Sequence, residues 1–246
     1  MDCFTFSVTK NYNKMKVVIL AGGFGTRLSE YTDTIPKPMV PIGGKPMIEH
    51  IMDIYSKFGH NEFYIALGYK GEVIKNHFNN FKNKDWKINL IDTGSDTFTG
   101  GRLKRMEKYF SNENFLLTYG DGISNIDINA LIKFHDSHKK MVTVSAVRPP
   151  ARFGSLSLEG SNVVKFQEKK QLGESWINGG FFVMNSKFFS FLDGDKTVLE
   201  KDPLEKITKL KELKAFKHEG FWQCMDHKLD KDYLDQLISE KKAPWI

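Results

Sequence analysis

Short apolar runs and amphipathic stretches alternate along the chain as far as Val147. Runs at 16–21, 62–68, 88–92, 114–119 and 141–147 are rich in β-branched and large apolar residues and predict strands. Between them, 46–58 places Ile48, Ile51, Ile54, Tyr55 and Phe58 on the inner face of a helix. Stretches 73–81, 102–109 and 128–138 predict further helices. Strand and helix in repeated succession predict an α/β fold, a Rossmann-like and mostly parallel sheet flanked by helices.

Beyond Pro149 and Pro150 the pattern changes. Runs 155–158 and 163–167 flank Glu159-Gly160-Ser161-Asn162 and predict a β-hairpin added in the second half. A strand is predicted at 176–184 and helices at 203–213 and 228–240, the last with Leu229, Tyr233 and Leu237 on one side. No repeat, low-complexity tract or linker interrupts 15–246, which reads as one domain. Residues 1–14 contain no apolar core of a secretory signal and read as a flexible extension, or Met15 is the start.

Composition narrows the partners. The 246 residues are 40% hydrophobic, enough for a large core, and 36 Lys+Arg against 30 Asp+Glu give a net charge of +6. The basic residues are scattered rather than blocked, which excludes a nucleic-acid arm. The surplus fits either a phosphorylated small molecule or a lysine-rich surface. Cys3 and Cys224, far apart, exclude a disulfide framework and a zinc site and fit a reducing cytoplasm. No stretch has the length of a membrane span.

The densest chemistry lies just after the first predicted strand. Gly22-Gly23-Phe24-Gly25-Thr26-Arg27 follows it directly, and Lys37 stands between Pro36 and Pro38. Glycines admit a polyphosphate close to backbone N–H groups, Arg27 and Lys37 would neutralise it, and the prolines stiffen the lysine's loop. A structural turn is the plainer alternative. The run lacks the Gly-Lys-Ser/Thr of a P-loop and the third glycine of a dinucleotide fingerprint. Asp121, flanked by Gly120 and Gly122 where an apolar strand gives out, is a candidate Mg²⁺ ligand or a turn residue. Asp226 is equally a second ligand or the N-cap of the last helix. Lys169 and Asn178 could bind an anion and hydroxyls, or be a surface lysine and a turn asparagine. The seven histidines show no ligand spacing, and Trp222 reads as core.

These stretches have a known counterpart. Leu20-Ala21-Gly22-Gly23-Phe24-Gly25-Thr26-Arg27-Leu28, Pro36-Lys37-Pro38-Met39 and Thr99-Gly100-Gly101-Arg102 resemble motifs of the sugar-1-phosphate nucleotidyltransferases. So do Thr118-Tyr119-Gly120-Asp121-Gly122, Phe166-Gln167-Glu168-Lys169, Ile177-Asn178-Gly179-Gly180 and Gly220-Phe221-Trp222-Gln223 with Met225-Asp226. The likeness covers 15–246 and implies a fold of the nucleotide-diphospho-sugar transferase type. It implies that Leu20, Ala21, Gly22, Gly23, Phe24, Gly25 and Thr26 hold base and phosphates. Thr97, Gly101, Arg102 and Gly120 would be further nucleotide contacts. Arg27 and Lys37 would be catalytic cations, and Asp121 and Asp226 would bind Mg²⁺. Glu168, Lys169, Asn178 and Gly179 would face the sugar phosphate. The implied substrates are CTP and α-D-glucose 1-phosphate, in a cytoplasmic homo-oligomer that binds neither nucleic acid nor membrane. Another nucleotide such as dTTP, another phosphorylated acceptor, or a non-catalytic sugar-nucleotide binder are the alternatives. Three features depart from the family pattern: a short spacer between Phe78 and Trp86, His227 in place of threonine, and Lys170 in place of proline.

Overall fold

The computed structural model describes residues 14–81, 85–149, 155–167 and 175–246. The chain opens with β1 (Lys16–Leu20), α1 (Ser29–Thr32), β2 (Pro41–Ile42), β3 (Lys45–Pro46), α2 (Met47–Ser56), β4 (Glu62–Leu67) and α3 (Gly71–Asn79). It continues with β5 (Lys87–Asp92), α4 (Thr99–Lys104), β6 (Asn114–Tyr119), β7 (Gly122–Ser124), α5 (Ile128–His138) and β8 (Val142–Val147). Then come β9 (Ser155–Glu159), β10 (Asn162–Gln167), β11 (Ile177–Asn185), α6 (Asp202–Lys209), β12 (Leu213–His218), β13 (Trp222–Cys224) and α7 (Lys228–Ser239). The extension predicted at 1–14 lies outside the described residues except for Lys14.

Seven strands form one sheet in the order β12-β8-β11-β6-β1-β4-β5. All neighbours run parallel except β11, which is antiparallel to both β6 and β8. β1 lies inside the sheet, with Val17, Val18 and Ile19 fully buried. Alternation sends Val17 and Ile19 into the core under α2, and Val18 and Leu20 into a second core on the other face. A strand buried on both faces is a continuous apolar run, which is why this one is legible.

Several boundaries differ from the sequence reading, and α1, β2, β3, β7, β12 and β13 are elements it does not contain. The helix predicted at 102–109 starts earlier and stops at Lys104, followed by a 3-10 turn over Glu107–Tyr109. The helix predicted at 203–213 ends at Lys209, and Leu213 begins β12. Among the described residues β12 is an edge strand paired with β8 alone, and its exposed Lys214 gives it a polar, helix-like composition. In α7 the inward residue is Leu234, packed with Leu237 and Ile238, whereas Leu229 is 80% exposed. The apolar face of that helix is thus turned from the 229/233/237 line, because 234, 237 and 238 meet the core.

The hairpin forms as predicted, antiparallel, with Gly160 at φ +61° in the turn. Leu156 opposes Phe166 and Leu158 opposes Val163, so these four share one face, and each is more than half exposed.

Candidate active site

The carboxyl ends of β1, β4, β5 and β6 lie along one edge, since Leu20 registers with Ala66 and Tyr119, and Leu67 with Asp92. Crevices outside such strand ends are where open α/β sheets bind ligands. The loop leaving β1 is fixed by Ala21 N–H on the Ala66 carbonyl (3.0 Å) and Tyr69 N–H on the Gly22 carbonyl (3.1 Å). Gly25 turns in the left-handed region at φ +65°, where a β-carbon would meet Thr32 Cγ2 at 2.9 Å. Arg27 rides on the 3-10 turn that follows, and Lys37 opens a second such turn behind the extended Pro36.

The two aspartates arrive by a route of their own. Asp121 follows β6, and β7 beyond it pairs antiparallel with β13, Gly122 opposite Cys224. Met225 N–H donates to the Asp121 carbonyl (2.9 Å), which delivers Asp226 beside Asp121. The cap of α7 is His227, not Asp226: Asp230 accepts the backbone N–H groups of Asp226 (2.9 Å) and His227 (2.8 Å). The Asp226 carboxylate is therefore left to face the crevice.

Lys37 Nζ donates to Asp121 Oδ2 and Asp226 Oδ1, both at 2.7 Å, and Arg27 reaches Asp226 Oδ2 at 2.8 Å. Burial by itself lowers the pKa of Lys37, but the two carboxylates more than offset this and hold it above the ordinary lysine range. Burial works against the charged form of Asp226 too; hydrogen bonding and charge from Lys37, with Arg27, bring its pKa below the usual value. Both partners stay ionised at neutral pH.

Asp121, Cys224 and Asp226 bring one ligand atom each within 4.8 Å of one another. The carboxylates are the hard oxygen donors that suit a divalent cation, and the Lys37 ammonium already stands between them as a cation. Cys224 is the soft donor of the three and suits a hard divalent cation less well than the carboxylates; burial and then the Asp121 charge push its thiol up.

Two cavities meet at this cluster. The first, about 240 Å³, is lined by Leu20, Ala21, Gly22, Gly23, Gly25, Thr26, Arg102 and Gly120, with Arg27, Lys37 and Asp121. The second, about 600 Å³, contains Asn178, Gly179, Glu200, Trp222 and Asp226. Arg27, Tyr119 and Asp121 belong to both walls.

Arg102 is buried and donates to the carbonyls of Leu67 (3.0 Å), Gly94 (2.6 Å), Gly22 (2.8 Å) and Ser95 (3.2 Å) and to Thr93 Oγ1 (2.9 Å). Its guanidinium is committed to main chain around the first cavity.

Three residues assigned to the nucleotide by resemblance do not line that cavity. Phe24 is half exposed against Tyr69, ring centroids 5.1 Å apart. Thr97 is buried beside Gly94, and Gly101 packs so closely on the Asp195 main chain that a β-carbon would lie 2.4 Å from its carbonyl oxygen. Glu168 and Lys169 lie outside the described residues. Asn178 caps its own strand, accepting from Gly180 N–H (2.8 Å) and donating to Tyr119 Oη (3.2 Å).

The sequence reading missed Tyr119, Glu200 and Trp222. Tyr119 was within reach, two residues before Asp121 at the same strand end. Trp222, read as core, is a wall residue whose indole N–H donates to the Gly179 carbonyl at 2.7 Å. Glu200 carries no local signal, since it sits in the connection between β11 and α6, far along the chain.

Comparison with known proteins places the chain in a family. A family model described as nucleotidyl transferase matches residues 16–225. The chain is 47% identical to glucose-1-phosphate cytidylyltransferase of Salmonella typhi, over 94% of this chain and 98% of that one. It is 42% identical to probable glucose-1-phosphate cytidylyltransferase of Bacillus subtilis, over 94% and 99%. Among solved structures, HddC of Yersinia pseudotuberculosis superposes with a TM-score of 0.74 at 29% identity, covering 91% of this chain and 99% of that one.

Proposed function

The chain belongs to the nucleotidyl transferase family, and we propose that it joins CTP to α-D-glucose 1-phosphate, giving CDP-glucose and pyrophosphate. The observation that carries this reading is the pair of adjoining cavities with Lys37, Arg27, Asp121 and Asp226 gathered at their seam. One cavity is walled by the glycine loop and suits a nucleotide; the other offers amide, carboxylate and indole groups and suits a sugar. The identity to the two cytidylyltransferases supports the choice of base and acceptor.

In the proposed reaction a phosphate oxygen of the sugar attacks the α-phosphorus of CTP, and pyrophosphate departs. That oxygen is already ionised at neutral pH, so no general base is required. The protein's part is to hold two anions together and offset their repulsion. Lys37 is fixed for this by a stiff turn and two carboxylates, and Arg27 reaches the same seam from the glycine loop. Asp121 and Asp226 would hold Mg²⁺, whose chemistry there is added positive charge on the phosphates.

The reading also includes a homo-oligomer and a cytoplasmic location. The uncovered apolar face of the hairpin supports the first, as a surface two copies of the chain would bury. The use of CTP supports the second. No helix among the described residues is long and apolar enough to cross a membrane.

The test is pyrophosphate release with Mg²⁺, α-D-glucose 1-phosphate and CTP, dTTP, UTP, ATP or GTP in separate reactions. Release with CTP alone is expected. Release with another nucleotide would change the base assigned, and silence throughout would overturn the assigned substrates.

A further inference from the structure

Glu200 has no place in the reaction just described, yet it faces the second cavity next to Asn178 and Trp222. Its carboxylate is held at both oxygens: Tyr119 Oη donates to Oε1 at 2.6 Å and Thr99 Oγ1 to Oε2 at 2.7 Å. Thr99 lines the first cavity and Tyr119 lines both, so Glu200 is fixed from the wall between the two subsites. A carboxylate offers about four acceptor positions, and these two hydroxyls use two of them. Glu200 is solvent-exposed, so the remainder are open to water and to donors that enter the cavity.

The charges of that cavity are unevenly placed. Asp226 is paired with Lys37 and Arg27, and Asp121 with Lys37. Glu200 has only neutral donors and no ion-pair partner among the described residues. A sugar phosphate entering here meets a seam where two cations are balanced by two carboxylates, and at the Glu200 wall a carboxylate with no cation beside it among the described residues. The unpaired charge of Glu200 disfavours the phosphate at that wall and leaves it the seam, where Lys37 and Arg27 offer donors. The sugar's hydroxyl-bearing ring, neutral and rich in O–H donors, is what a preset carboxylate accepts.

We propose that Glu200 is a specificity-determining residue for the acceptor, receiving hydroxyl groups of the sugar ring and orienting the phosphate toward Lys37. The proposal rests on the second cavity being the acceptor subsite. It assigns the ligand class there as a neutral hexose 1-phosphate and excludes acceptors carrying a second anionic group on the ring.

Steady-state kinetics on Glu200→Gln and Glu200→Asp, with α-D-glucose 1-phosphate and α-D-glucuronate 1-phosphate as competing acceptors, decides the matter. Glu200→Gln is expected to raise KM for glucose 1-phosphate about tenfold while KM for CTP stays within about twofold. It should also move the kcat/KM ratio of glucuronate to glucose acceptor about tenfold toward the acid, because the repulsion is gone. Glu200→Asp keeps the charge but retracts it, so it should weaken glucose 1-phosphate binding and still reject the acid. Equal changes in both KM values, or an unaltered acceptor ratio in Glu200→Gln, would overturn the assignment. If Glu200→Gln does not fold, Glu200→Asp still tests the split between the two KM values. Wild-type protein inactive with both acceptors would overturn the assignment of the subsite together with that of Glu200, which separates the two failures.

Discussion

Arg102 donates a hydrogen bond to the Gly22 carbonyl at 2.8 Å, and its guanidinium fills the space a β-carbon on Gly22 would take, 2.3 Å from Cζ. A long side chain usually gives way to such an intrusion. This one is tied by five hydrogen bonds to β-strand ends and turns, so it cannot move without releasing them.

Gly22→Ala is therefore expected to destabilise the protein by about 2–4 kcal/mol, through strain and stranded polar groups. It should also raise KM for the nucleotide. A urea-denaturation midpoint and a CTP titration check both, and an unchanged midpoint would mean that the loop relaxes freely.

Lys37→Ala removes the cation that two carboxylates share. The expected fall in kcat is roughly 100-fold or more, about 2.7 kcal/mol in the barrier. A rate within about threefold of wild type would remove Lys37 from the chemistry.

Asp121→Asn should weaken the response to divalent metal, since one of two hard charged donors becomes a neutral amide. The Mg²⁺ concentration for half-maximal rate is expected to rise about tenfold. An unshifted Mg²⁺ curve would leave Asp121 as a partner of Lys37 alone.

His60 is 1% exposed and burial lowers its pKa to about 4, while its Nδ1 accepts the Met15 N–H at 3.0 Å, a bond that only the unprotonated nitrogen receives. The folded pKa lies below the unfolded value near 6.5, so the stabilisation is complete above about pH 6.5. It is lost as pH falls from there toward 4, up to roughly 3 kcal/mol for this group. His60→Gln, which can still accept from Met15, should show a shallower loss of stability between about pH 7 and 5. Parallel curves for the two proteins would rule His60 out as a contributor.

The strand-helix succession, the glycine loop and the carboxylate at the end of β6 are legible in the sequence because each depends on neighbours within a few residues. β1 reads as a strand from its unbroken apolar run, and Asn114–Tyr119 and Ile128–His138 have in the structure the limits their patterns predict. Elements that owe their state to distant partners are not legible in this way. The run that begins at Leu213 is helix-like in composition, and only pairing with β8 makes Leu213–His218 a strand.

The same division holds at the site. Sequence alone is enough to establish that Arg27, Lys37, Asp121 and Asp226 are present and of the right chemistry, and it leaves Asp226 equally a helix cap. The choice between those roles is made in three dimensions, because the β7–β13 pairing carries Asp226 to Asp121 while Asp230 takes over the backbone N–H groups at the start of α7. Packing likewise sets Arg102 on main chain, makes Trp222 a wall and stands Glu200 between two cavities. Hydrogen bonds and ion pairs act over a few ångströms of space, and the chain's order sets that distance only for residues close in sequence.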